Sequence, residues 1–78
     1  MPSSLRALLS FEREWLNRPQ HSGAKEQAIL ETFGVSATRY YQQLNAVLDT
    51  QEALDLDPTT VGIVRRRRAA RQRQRRAG

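Results

Sequence analysis

The sequence contains no cysteine, a single histidine, three prolines and few aromatic residues. The absence of cysteine excludes disulfides, thiolate zinc sites and a cysteine nucleophile, and His21 has no second histidine with which to share a metal ion. We therefore expect no metal and no other cofactor. No apolar run approaches the roughly 18 residues that span a bilayer, and the N-terminal residues lack the pattern of a signal peptide. These absences favour a cytoplasmic protein over a secreted or membrane protein.

The usual signatures of catalysis are missing as well. The chain has no glycine-rich phosphate loop, and its residues suggest no Ser/His/Asp set. Glu12 and Glu14 lie two residues apart, which on a helix directs them to different faces, so they are poor candidates for an acid–base pair. The chain has 78 residues, of which 38% are hydrophobic, and can form one small domain with a thin core. We expect a binding protein rather than an enzyme.

The charges that are present are distributed unevenly. Residues 1–64 hold five basic and all eight acidic residues, a net charge of −3, whereas residues 65–78 hold eight arginines and no acid. Arginine binds phosphate in a bidentate way and stacks on bases, so this segment indicates a nucleic-acid partner. Lys25 is expected to assist. The predicted phosphate contacts are Lys25, Arg65, Arg66, Arg67, Arg68, Arg71, Arg73, Arg75 and Arg76.

Apolar residues recur at helical spacing in three segments, which predicts helices over about 4–17, 24–33 and 37–50. The next residues, 51–57, are expected to form a linker or short turn. Asp57-Pro58 then reads as the start of a C-terminal helix, which we expect to fray from Arg65 onward because close positive charges repel. The predicted core residues are Leu8, Trp15, Ile29, Phe33, Val35, Tyr40, Leu44 and Val47.

The predicted fold class is therefore all-α. We expect a small three- to four-helix domain with a central helix-turn-helix. A helical body would occupy residues 1–57, and residues 58–78 would form a C-terminal helix that runs into a basic tail, which we expect to be frayed or disordered until it binds an anion.

The segment AILETFGVSATRYYQQLNAVL has the form of a helix-turn-helix. Gly34 permits the sharp turn, Val35 fills the corner between the helices, and Ser36 caps the second helix. In DNA-binding versions the second helix enters the major groove with its outward side chains toward base edges. The predicted base contacts are Thr38, Arg39, Gln42, Gln43 and Asn45.

At these residues the sequence resembles a family of small actinobacterial proteins classed as a domain of unknown function. The matching segments are FEREW (11–15), GAKEQAI (23–29), FGVSATRYYQQLN (33–45) and EALDLDP (52–58) with its basic end. The resemblance covers most of the chain and implies a compact helical protein with a helix-turn-helix-like centre. It implies no established activity.

The sequence thus predicts a small DNA-binding protein of the cytoplasm and nucleoid, either a transcriptional regulator or a nucleoid-associated protein. DNA is the preferred partner, RNA is possible, and a homodimer would lengthen the site that one small monomer can read. The alternative is an adaptor that binds proteins of the transcription machinery. We expect no membrane partner, because the basic segment lacks a sizeable apolar face.

Overall fold

The computed structural model describes residues 4–18 and 23–77, and the side chains of the last helix as far as Gln74. His21 lies outside the described residues. Within these ranges five helices follow one another: α1 (Leu5–Trp15), α2 (Ala24–Phe33), α3 (Ala37–Leu48), α4 (Gln51–Leu56) and α5 (Pro58–Ala77). The described part of the chain contains no strand, so the all-α prediction is confirmed. No helix in these ranges combines the length and the apolar character needed to cross a membrane.

Polar side chains determine where most of the helices begin. Ser4, Ser36 and Thr50 each accept a hydrogen bond from the backbone N–H three residues later, at 3.1 to 3.2 Å. Asp57 accepts one from the Thr60 N–H at 3.2 Å, directly before α5. These bonds satisfy N–H groups that have no partner within the helix. The predicted caps at Ser36 and Asp57 are confirmed.

The structure differs from the sequence prediction between residues 49 and 57. The predicted linker is instead the short helix α4, and α3 ends at Leu48 rather than near Thr50. Thr50 explains both differences, because its hydroxyl donates to the Val47 carbonyl at 2.7 Å and accepts from the Ala53 N–H. It thereby ends one helix and starts the next. Ala53 is fully buried, so packing holds α4 in place.

The arginine segment also differs from expectation, since α5 stays helical as far as Ala77. Arg65 donates from Nε to the Leu48 carbonyl at 3.2 Å, and Arg68 donates to Asp49 at 2.7 Å. These contacts hold α5 against the end of α3 and offset part of the repulsion among the arginines. Val61, one turn before Arg65, is fully buried and anchors the start of the helix.

The core consists of two adjoining clusters. One lies beneath the helix-turn-helix, and the other joins α1, the end of α3, α4 and α5. The first cluster contains Leu8, Phe11, Trp15, Ile29, Tyr40 and Leu44. The second contains Leu9, Leu48, Ala53 and Val61. Three predicted core residues, Phe33, Val35 and Val47, are half-buried against the first cluster. Because Val61 belongs to the core, α5 begins inside the folded body rather than beyond it.

Replacing Asp57 with alanine is expected to lower the free energy of unfolding by about 1 kcal/mol, the usual effect of losing a helix cap. The hydrogen bond from Thr60 lowers the pKa of Asp57. The stabilisation is therefore fully present above the carboxyl's unfolded-state pKa of about 3.9 and is lost as the pH falls through the lowered folded-state pKa. Urea denaturation of both proteins at pH 7 and below pH 3 measures this. Asp57→Asn is the control that keeps an acceptor, and an equal difference at both pH values would contradict the role of the charge.

Candidate nucleic-acid interface

The turn between α2 and α3 has the geometry of a helix-turn-helix corner. Gly34 adopts a left-handed conformation with φ of 70°, and its N–H donates to the Leu30 carbonyl at 2.9 Å. Only glycine adopts such a φ without strain, which explains its place at the end of α2. Val35 then packs half-buried against the first core cluster, and Ser36 caps the start of α3. The corner thus determines which face of α3 points outward.

An exposed polar stripe runs along the outer face of α3. Thr38, Gln42, Asn45 and Asp49 follow one another at four-, three- and four-residue steps, which places them on one side of the helix. Arg39 is exposed beside this stripe, whereas Gln43 is half-buried and already has an interaction partner. Of the five predicted base contacts, four are therefore exposed on the outer side of α3, and Gln43 is not fully available.

A buried ionic network holds α1, α2 and α3 together beneath this surface. Glu12 is only 5% exposed and contacts the Lys25 ammonium through both carboxylate oxygens, at 2.9 and 3.1 Å. It also accepts a hydrogen bond from the Tyr40 hydroxyl at 2.5 Å. Burial, together with the charge of Glu12, raises the pKa of Tyr40 far above its ordinary value. This direction agrees with the role of the Tyr40 hydroxyl as the donor to Glu12.

Lys25, one of the predicted phosphate contacts, is already paired within this network. Its ammonium is neutralised by Glu12, lies 5.3 Å from the centre of the Tyr41 ring, and belongs to a side chain only 17% exposed. The sequence prediction missed this role of Glu12. A signal was present, because Glu12 shares its helix face with Leu8 and Trp15 and so sits within the apolar stripe.

The arginines of α5 fall into two groups. Arg65 and Arg68 both face the Asp49 carboxylate, at 3.5 and 2.7 Å. The hydrogen bond from Arg68 is the main reason that the pKa of Asp49 is lowered. The second group has no ion-pair partner among the described residues and consists of Arg66, Arg67, Arg71 and Arg73. The side chains of Arg75 and Arg76 lie outside the described residues.

Asp49 connects the two surfaces that are predicted to contact nucleic acid, the polar stripe of α3 and the arginines of α5. It is the last residue of the polar stripe on α3, and it binds arginines near the middle of α5. Beside this junction an open groove of about 810 Å³ separates α5 from α2 and α3. Asn45 of the stripe lines this groove together with Arg67, Arg68 and Arg71. The amide-bearing face of α3 and the guanidinium groups of α5 are therefore neighbours.

The sequence profile of the family described as "Protein of unknown function (DUF3263)" matches residues 2–76. The chain belongs to the DUF3263 family. Since the match covers nearly the whole chain, the helix-turn-helix, the Glu12 network and the arginine helix all lie within the DUF3263 domain. The expected membership of a domain-of-unknown-function family is confirmed. No curated protein and no solved structure gives a significant match to the chain.

Proposed function

We propose that this DUF3263 protein is a small DNA-binding protein that acts as a transcriptional regulator or a nucleoid-associated protein. In this proposal α3 enters the major groove, and the arginines of α5 contact the flanking phosphates. The observation that carries it is the junction at Asp49, because beside it the exposed amide of Asn45 shares a groove with the guanidinium groups of Arg67 and Arg71, which no described acid neutralises.

The chemistry of the α3 stripe supports base recognition. The guanidinium of Arg39 matches the two acceptors of guanine, and the amides of Gln42 and Asn45 match the donor–acceptor pair of adenine. A merely solvated helix usually carries a mixture of glutamate and lysine there. Asp49 is the one acid of the stripe, and Arg68 neutralises it.

The placement of α5 supports phosphate binding. Arg66, Arg67, Arg71 and Arg73 carry positive charge that no described acid neutralises, so counterion release on a polyanion can drive their binding. Duplex DNA is favoured over RNA, because the major groove of an RNA helix is too narrow and deep to admit α3. RNA would then be bound through α5 alone.

The experiment that tests this proposal measures binding to a panel of duplex sequences by fluorescence anisotropy. The changes Arg39→Ala and Gln42→Ala are expected to reduce the preference between the best and the average duplex by about 5- to 100-fold, since a bidentate base contact contributes about 1–3 kcal/mol of discrimination. Gln51→Ala, which removes an exposed glutamine from α4, is the matched control. If the preference is unaltered in the α3 variants, α3 does not read bases.

Replacing Asp49 with asparagine is expected to strengthen duplex binding several-fold. The change frees Arg65 and Arg68 for phosphate and removes a negative charge from the stripe that faces the DNA. The slope of log affinity against log salt should therefore become steeper by about 1 to 2. Weaker binding by the variant would mean that Asp49 serves chiefly to hold α5 in place.

A further inference from the structure

The groove between α5 and the α2–α3 pair sets two of the α5 arginines opposite Glu26 and Tyr41, which the proposed DNA contacts do not use. Its α5 wall contains Arg67 and Arg71, and its opposite wall contains Glu26 and Tyr41. Thr38 and Gln42, the two residues of the stripe nearest the start of α3, do not line this groove. The volume of about 810 Å³ lies within the range of small-molecule sites.

The α5 wall is suited to an anion. Arg67 and Arg71 are four residues apart and exposed, so their guanidinium groups are neighbours on one face and repel each other. The other two cations of the groove are already neutralised, Lys25 by Glu12 and Arg68 by Asp49. An anion placed between Arg67 and Arg71 relieves their repulsion, and the guanidinium fork matches phosphate oxygens.

The opposite wall is suited to a purine base. Tyr41 is half-buried, and its ring is held by Tyr40 at 5.2 Å between ring centres and by the Lys25 ammonium at 5.3 Å. Because the ammonium lies over one face of the ring, a base would stack on the other face. Glu26 is exposed, and in the described part of the chain it has no hydrogen-bond or ion-pair partner. Its carboxylate is an acceptor for two adjacent N–H donors, which among the common bases only guanine presents.

We propose that this groove binds a free guanine nucleotide with two or more phosphates. The phosphates lie between Arg67 and Arg71, the base stacks against Tyr41, and Glu26 accepts hydrogen bonds from the N1–H and N2–H groups of guanine. A diphosphate has the length to meet both arginines of the pair. The proposal shares Arg67 and Arg71 with the DNA-binding proposal but does not rest on it, because Glu26 and Tyr41 lie outside the polar stripe of α3.

Calorimetric titration of the full chain with GDP, ADP and inorganic pyrophosphate tests it. GDP is expected to bind at least tenfold more tightly than ADP or pyrophosphate. Glu26→Gln should abolish the advantage of GDP over ADP, and the double change Arg67→Gln with Arg71→Gln should weaken both nucleotides at least tenfold. The matched control is Arg66→Gln with Arg73→Gln, which removes two exposed arginines that do not line the groove.

Two results would overturn the proposal: no measurable binding of GDP, or equal binding of GDP and pyrophosphate. In the second case the arginines bind any polyanion and the base makes no contact. A direct readout is the intermolecular NOE between guanine H8 and the Tyr41 ring, which needs no variant and must be present. Thr38→Ala with Gln42→Ala separates the two sites, since it should alter duplex preference and leave GDP binding unchanged.

Discussion

Replacing Phe11 with alanine is expected to unfold the protein or bring it to the edge of unfolding. The Phe11 ring lies among the aromatic rings of the first core cluster. Its centre is 5.3 Å from the ring centre of Phe33, 5.5 Å from that of Tyr40 and 6.0 Å from that of Trp15. Removing a buried phenyl ring costs about 3–5 kcal/mol, and no neighbouring helix can move in without giving up its own contacts. A single core in a domain of this length rarely supplies more than about 3–5 kcal/mol of stability, so this loss is comparable to the whole free energy of unfolding.

Urea denaturation followed by helical circular dichroism and by Trp15 fluorescence measures the effect. Both signals should report the same loss, because Trp15 and Phe11 share one cluster. Leu30→Ala is the control, since Leu30 is 52% exposed and its truncation should change the unfolding free energy by no more than about 1 kcal/mol. An unfolding midpoint within a few tenths molar of the unaltered protein for Phe11→Ala would show that the cluster does not carry the fold.

Changing the four unpaired arginines of α5 to glutamine is expected to weaken binding to every duplex by about 100- to 1,000-fold near 0.1 M salt. The variant combines Arg66→Gln, Arg67→Gln, Arg71→Gln and Arg73→Gln. Each lost phosphate contact makes the slope of log affinity against log salt shallower by about 0.9, so the four together reduce it by about 3.6. Sequence preference should be retained, because phosphate contacts carry no sequence information.

The matched control for this variant is Arg6→Gln with Arg13→Gln, which removes two exposed charges from α1. It should change the salt slope little, because its charges lie on another helix and act only through the net charge of the protein. Equal slopes for the four-arginine variant and the unaltered chain would show that α5 does not touch the phosphates.

The elements with strong local signals were predictable from the sequence. Gly34 and Ser36 define the corner of the helix-turn-helix, and the apolar stripe of Tyr40 and Leu44 defines the inner face of α3. Their effect is local, since a left-handed glycine and a capping serine act within a few residues. For this reason the exposed positions of Thr38, Arg39 and Gln42 also followed from the pattern.

The features that depend on distant partners were not predictable from local patterns. The Glu12 network joins residues 12, 25 and 40, and nothing in the neighbourhood of Lys25 indicates that its charge is neutralised. The helical state of the arginine segment depends likewise on Asp49 and the Leu48 carbonyl, which lie 17 to 19 positions before their partners. Repulsion among the arginines argues against a helix, and only the tertiary contacts offset it.

The groove depends both on local sequence patterns and on contacts between distant residues. The α5 wall follows from helical spacing, because Arg67 and Arg71 are neighbours in any helix that contains them. The pairing of that face with Glu26 and Tyr41 follows only from the course of α5 across the end of α3. The sequence pattern therefore predicts only a charged segment, whereas the fold places Arg67 and Arg71 in one wall of the groove.

A titration of the isotope-labelled protein with duplex DNA, followed by NMR, tests most directly whether α3 and α5 contact the same duplex. The backbone signals of Thr38 and Arg39, the side-chain amide signals of Gln42 and Asn45, and the signals of the α5 arginines are all monitored. The α3 and α5 signals are expected to shift together along one binding curve. If the α5 signals shift while those of α3 stay unchanged, α3 does not enter the groove, and the account of base reading is contradicted.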